Sequence, residues 1–178
     1  MTDAPVTAGT YTLGEVAVSG YSSSGYSCVV NGGSPISGNT ITLADGDTAV
    51  CTITNDDDPA TLTLRKTVVN NDGGTSGVGD FTLTASGPTS ISGATGDISV
   101  TAAPVAAGSY TLGEVPVAGY SAGTYRCSTN GGATAVSNSL TLSNGDSAVC
   151  TITNEDIPPS VTIAKALVGE SGSVPNTP

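Results

Sequence analysis

The sequence predicts an all-β protein made of tandem β-sandwich domains, one complete copy flanked by two partial copies. Three observations carry this expectation. The chain repeats itself at an offset of 99 residues. Short runs of alternating apolar and polar residues recur between Gly-, Asn- and Ser-rich turns. No stretch carries a convincing helical period.

The repeat is read directly by laying the chain on itself. Tyr11-Thr12-Leu13-Gly14-Glu15 returns as Tyr110-Thr111-Leu112-Gly113-Glu114, and Cys51-Thr52-Ile53-Thr54-Asn55 returns as Cys150-Thr151-Ile152-Thr153-Asn154. Residues 1–57 align with 100–156 without a gap, while 59–79 resemble 158–178 more weakly. A period of this length is one small domain, not a solenoid turn. The expected units are therefore 1–57, the C-terminal part of a repeat; 58–157, a complete repeat; and 158–178, the N-terminal strand region of a third. That phase is what a window on a longer tandem array would have.

Within the complete repeat the expected strands are Thr61–Val69, Asp80–Ala85, Ile98–Ala102, Gly108–Val115, Tyr125–Thr129, Ser139–Leu142 and Ala148–Asn154. Seven short strands in one small unit favour a β-sandwich. Asp45-Gly46 and Asn144-Gly145 read as type I′ hairpin turns, in which both central residues take positive φ. Asp56-Asp57-Asp58-Pro59 and Glu155-Asp156-Ile157-Pro158-Pro159 fall at the seams. Linkers so short and proline-stiffened predict a rod rather than a loose string.

Composition narrows the function. The formal charge is −11, with four basic residues and no histidine, which argues against nucleic acid and anionic membranes. No apolar segment long enough to span a membrane is present, so no membrane insertion is expected. Disorder is countered by the regular alternation and the placed tyrosines. Without histidine or a nucleophile motif, a hydrolytic enzyme is not expected, and no cofactor is implied.

Cys28 and Cys51 lie 23 residues apart, as do Cys127 and Cys150. An even count in register favours one disulfide per repeat, and with it an oxidising, extracellular compartment. The alternatives are buried free thiols or a metal site, for which two cysteines per repeat make a poor zinc cage. No metal is expected. The acidic clusters Asp45–Asp47 and Asp56–Asp58 lack the ligand spacing of a calcium loop, and turn chemistry explains them more simply.

The chemistry-bearing residues emerge from the lysines. There are only two, Lys66 and Lys165, at the same place in successive repeats. Residues two apart on a strand share a face, so Leu62, Leu64 and Lys66 point the same way. So do Tyr110, Leu112 and Glu114, and so do Cys150, Ile152 and Asn154. Three strands thus aim Lys66, Glu114 and Asn154 at one apolar interior. Burying each alone is costly, which implies that they meet.

The lysine strand, Gly108-Ser109-Tyr110-Thr111-Leu112-Gly113-Glu114, the following Gly119-Tyr120 and the terminal Thr153-Asn154 resemble the Cna-B-type, prealbumin-like (SpaA-like pilin) domains of bacterial surface adhesins and pili. The resemblance covers all three copies. It implies an Ig-like or prealbumin-like sandwich whose first and last strands are joined by a spontaneous Lys–Asn isopeptide bond with a catalytic glutamate. Carried over, the bond joins Lys66 to Asn154 with Glu114 as catalyst. Glu15 and Asn55 are the equivalents in the first partial copy, and Lys165 in the last. A desolvated, neutral lysine can attack the amide, while Glu114 hydrogen-bonds the amide oxygen and shuttles protons as ammonia leaves. The competing reading is an ordinary Lys66–Glu114 ion pair beside an Asn154 that caps a strand end.

The expected function is a structural stalk or filament repeat at the cell surface. The alternative is an adhesin module that binds a glycan or host protein on one face. The tyrosines at matching positions (Tyr11/Tyr110, Tyr21/Tyr120, Tyr26/Tyr125) are expected to pack cores or seams. The expected partners are neighbouring repeats or other copies of the chain, including a head-to-tail arrangement that brings Lys165 of one copy beside Glu15 and Asn55 of the next.

Overall fold

A computed structural model describes residues 4–166 of the chain. In the N-terminal stretch β1 (Gly9–Thr12) pairs β4 (Thr40–Leu43), while β2 (Tyr21–Val30) pairs both β3 (Ile36–Ser37) and β5 (Ala49–Asp57). The remaining strands are β6 (Ala60–Val69), β7 (Leu83–Ser86), β8 (Ile91–Gly93), β9 (Ala103–Val105) and β10 (Gly108–Glu114), then β11 (Tyr120–Ala122), β12 (Arg126–Thr129), β13 (Ala135–Val136), β14 (Ser139–Leu142) and β15 (Ser147–Asp156). They form a four-stranded sheet, β14-β10-β7-β8, and a six-stranded sheet, β13-β12-β15-β6-β9, with β11 added beside β15. Among the described residues no strand pairing crosses between β1–β5 and β6–β15.

Alternation does what it must. Ala60, Leu62, Leu64 and Lys66 are buried along β6, and Ala148, Cys150, Ile152, Asn154 and Asp156 along β15. Leu83, Ala85, Tyr110, Leu112 and Leu142 of the other sheet join them in one apolar cluster, so the two sheets close as a sandwich. β6 and β15, the first and last strands of this unit, lie side by side and parallel from Thr61↔Ser147 to Val69↔Glu155. In β5 the matching Cys51 and Ile53 are only half-buried, because β5 pairs β2 on one side and has no described strand on the other.

Three local expectations are corrected. Ile98–Ala102 is not a strand: Ile98–Val100 is a 3-10 turn, and pairing starts only at Ala103. Ile98 is exposed and Val100 alone is buried, so the run lacks the two-residue alternation that holds a strand on a core. The strand expected from Asp80 begins at Leu83, after a 3-10 turn Val78–Asp80 whose Asp80 carboxylate accepts the Gly77 N–H at 2.8 Å. The Asp-Gly and Asn-Gly turns are not hairpins either. β4 and β14 pair in one sheet while β5 and β15 pair in another, so each turn is a corner between sheets. Only its glycine has positive φ, 81° at Gly46 and 75° at Gly145, as in a type II turn. The Asp47 and Asp146 carboxylates close the corners by accepting the Ala44 and Ser143 N–H groups, each at 2.8 Å.

Of the segment expected to open a third copy, residues 158–166 carry no strand. Residues 167–178 lie outside those described.

Candidate functional site

Three elements of the sandwich bring together the polar groups singled out above. On β6, Lys66 stands opposite Ile152 of β15, and Asn154 lies two residues further along the same face. Glu114, the last residue of β10, reaches across from the other sheet. The Lys66 Nζ donates to Glu114 Oε2, and Asn154 Nδ2 donates to Glu114 Oε1. One carboxylate therefore bridges the amine and the amide.

The surroundings are apolar. The Lys66 side chain has 0% exposure and that of Glu114 6%, while Asn154 is 1% exposed. Phe81 is fully buried, and its ring centroid lies 4.4 Å from Nζ. Tyr120 meets Phe81 edge-on, with centroids 5.4 Å apart. Tyr125 closes the site on the β10 side, donating its hydroxyl to the Gly113 carbonyl at 2.9 Å.

The electrostatics follow from this burial. Desolvation lowers the pKa of Lys66, opposed by the hydrogen bond and the charge of Glu114. Burial, then the Glu114 charge, pushes the Tyr125 phenol far above its ordinary value, so it stays a neutral donor. Asn154 Oδ1 is buried without any hydrogen-bond partner. Such an acceptor costs about 1–3 kcal/mol. The bonding differs from expectation at this atom, since Glu114 contacts the amide nitrogen rather than the oxygen.

The other expected residues separate into two groups. Cys28–Cys51 and Cys127–Cys150 are disulfides, each joining directly opposed residues of neighbouring strands, β2 to β5 and β12 to β15. Glu15 and Asn55 also meet, Asn55 Nδ2 donating to Glu15 Oε2 at 3.2 Å, but in an exposed setting. Lys165 lies on the exposed segment after β15, without a described contact to them. No cluster of three or more metal-ligating side chains occurs among the described residues, and no described helix is long and apolar enough to cross a membrane.

Two features escaped the sequence reading. Phe81 is the only phenylalanine in the chain and covers the amine; its alternation with Leu83 and Ala85 could have signalled its burial, but not what it covers. Asp156, expected in a linker, is instead the buried end of β15. Its carboxylate accepts the N–H groups of Asn71 at 2.9 Å, Asp72 at 2.8 Å and Gly74 at 2.6 Å. Tyr120 holds the same loop, accepting from Ser76 N at 2.9 Å and donating to Asn70 Oδ1 at 2.7 Å.

The two sheets thus close as a β-sandwich over the bridged Lys66, Glu114 and Asn154. The chain belongs to the prealbumin-like fold domain family, whose model matches residues 1–53 and 57–152. That family is structural, not enzymatic. Among solved structures, the chain is similar to the major pilin protein T-13 from Streptococcus pyogenes, at 15% identity and a TM-score of 0.43 over 83% of this chain and 66% of that one. A second major pilin from Streptococcus pyogenes aligns at 19% identity and a TM-score of 0.38, over 79% of this chain and 66% of that one. The chain thus spans just under two thirds of these pilins, and family membership rests on the prealbumin-like match. No curated protein matches the chain.

Proposed function

We propose that residues 58–157 are a self-cross-linking structural repeat of an extracellular stalk or pilus-like filament, in which Lys66 and Asn154 become joined by an isopeptide bond. The observation that carries this reading is the Glu114 carboxylate bonded at once to the Lys66 amine and the Asn154 amide in a site closed by Phe81. An ordinary ion pair explains the first contact. It does not explain a buried carboxamide with an unsatisfied oxygen placed beside it.

The chemistry balances without a cofactor. Burial favours the neutral amine, whose Nζ attacks Cγ of Asn154. Glu114 accepts a proton from Nζ and delivers one to Nδ2, which leaves as ammonia. The bond formed is Nζ–Cγ and the bond broken is Cγ–Nδ2. Folding supplies the effective concentration, and the product replaces a buried amine by a neutral amide. The event occurs once per repeat, so there is no turnover.

The mechanical consequence follows from topology. Force applied at Ala60 and Asp156 shears the parallel pair β6–β15, and a Lys66–Asn154 bond spans that pair. The 99-residue repeat places like units end to end, as a filament of such units requires. The proposed partners are accordingly neighbouring repeats. Single-molecule pulling tests the reading. With the Cys127–Cys150 disulfide reduced, residues between Lys66 and Asn154 should still contribute no length on unfolding, whereas Lys66→Ala should release that length; full release from the reduced, unsubstituted chain would refute it.

A further inference from the structure

Two turns meet at the seam between β5 and β6. One is Val18–Tyr21, closed by Tyr21 N–H donating to the Val18 carbonyl at 3.2 Å, with Gly20 at φ 79°. The other is the corner Ser143–Asp146, with Gly145 at φ 75°. The backbone of Asp58 ties them together: its N–H donates to the Gly20 carbonyl at 2.8 Å, and its carbonyl accepts from Gly145 N–H at 2.9 Å. The turns touch through their glycines. A Cβ on Gly20 would lie 2.5 Å from the Asn144 carbonyl oxygen, and one on Gly145 would lie 3.2 Å from the Gly20 Cα. Ser22 Oγ holds the Asp58 carboxylate at 2.6 Å, fixing the bridging residue itself.

Both halves of this seam recur 99 residues away. Ile157 N–H donates to the Gly119 carbonyl at 2.8 Å, repeating Asp58 and Gly20, and Gly119 has φ 83°. The corner Ala44–Asp47 repeats Ser143–Asp146, with the same carboxylate closure and Gly46 at φ 81°. At Gly119 and Gly46, however, an added Cβ would meet nothing within 4 Å. The halves are therefore built by the repeat itself and do not depend on being in contact.

We infer that this glycine-to-glycine seam is an interface between successive copies of the repeat, made for a second copy of the same unit, and that it fixes the angle between them. The pairing across the seam is through backbone groups, and Ile157 keeps the N–H half of it without the carboxylate that Ser22 holds at Asp58. Glycine is required twice over, once for positive φ and once for the close approach. The seam is independent of the proposed cross-link, which lies in the sandwich interior.

The recurrence supplies an internal control. Gly20→Ala and Gly119→Ala impose the same backbone strain, but only the first inserts a methyl into the seam. Gly145→Ala and Gly46→Ala form the same contrast from the other side. Residual dipolar couplings of the whole chain, with amide dispersion reporting that each unit stays folded, should give one common alignment tensor for residues 4–57 and 60–156. Gly119→Ala and Gly46→Ala should retain it, and Gly20→Ala or Gly145→Ala should split it into two. A split tensor in the unsubstituted chain would overturn the inference. So would a common tensor in both seam variants, or equal loss in the controls. Should Gly20→Ala fail to fold, Gly145→Ala decides the matter. None of these outcomes bears on the unfolding length by which the cross-link is judged.

Discussion

At the residue scale, the site is a problem of burial solved by proximity. Lys66 was legible because the chain has so few lysines and because Leu62 and Leu64 mark its face. Glu114 and Asn154 followed from the same alternation on β10 and β15. Phe81 was not singled out: it shares the buried face of Leu83 and Ala85, but alternation marks a residue as buried without saying what it covers. Phe81→Ala should destabilise the unit by about 3–5 kcal/mol in denaturant titration and hydrate the amine, slowing cross-linking during synthesis. Unchanged stability would mean the ring does not close the site. Glu114→Gln keeps the shape but removes the proton acceptor. It should leave a folded chain of full, uncross-linked mass; a cross-linked product would transfer the catalytic role elsewhere.

At the scale of elements, β6, β10, β14 and β15 matched the sequence pattern because each sets one face on the core. The short β8, β11 and β13 did not announce themselves, since two or three residues cannot display a period. The corners at Gly46 and Gly145 were misread because an Asx-Gly dipeptide specifies a turn but not whether the next strand returns to the same sheet. Asp156 shows the same limit, since its acidic neighbourhood looked like linker. Burial acts to raise its pKa, but the bonds from Gly74, Asn71 and Asp72 outweigh this and hold it below the usual 3.8. A depressed folded pKa stabilises above the unfolded value and is lost as pH falls through the folded one. The loop at 70–76 should therefore stay latched at neutral pH and release only below pH 3.8, seen as amide shifts of Asn71, Asp72 and Gly74. Release well above that value would contradict the latch. Reducing Cys127–Cys150, which clamps β12 to β15, should cost about 2–4 kcal/mol, read from the unfolding midpoint with and without reductant.

At the scale of the molecule, the repeat is what converts one cross-linked unit into a proposed load-bearing element. The period of 99 residues was plain in the sequence, and so was the brevity of the linker. The glycine contacts at the seam were not, because the close approach of two turns depends on tertiary placement and not on either turn's own pattern. Covalent joining of β6 to β15, disulfide clamps on β2–β5 and β12–β15, and an angle fixed at the seam would together resist extension at three levels. The first of these is central, and intact mass spectrometry of the unreduced chain tests it most directly. Beyond the hydrogens lost to the two disulfides, the mass should fall short of the sequence by one ammonia, and the shortfall should vanish in Lys66→Ala. A chain with no ammonia deficit, or a deficit that survives Lys66→Ala, would contradict the account.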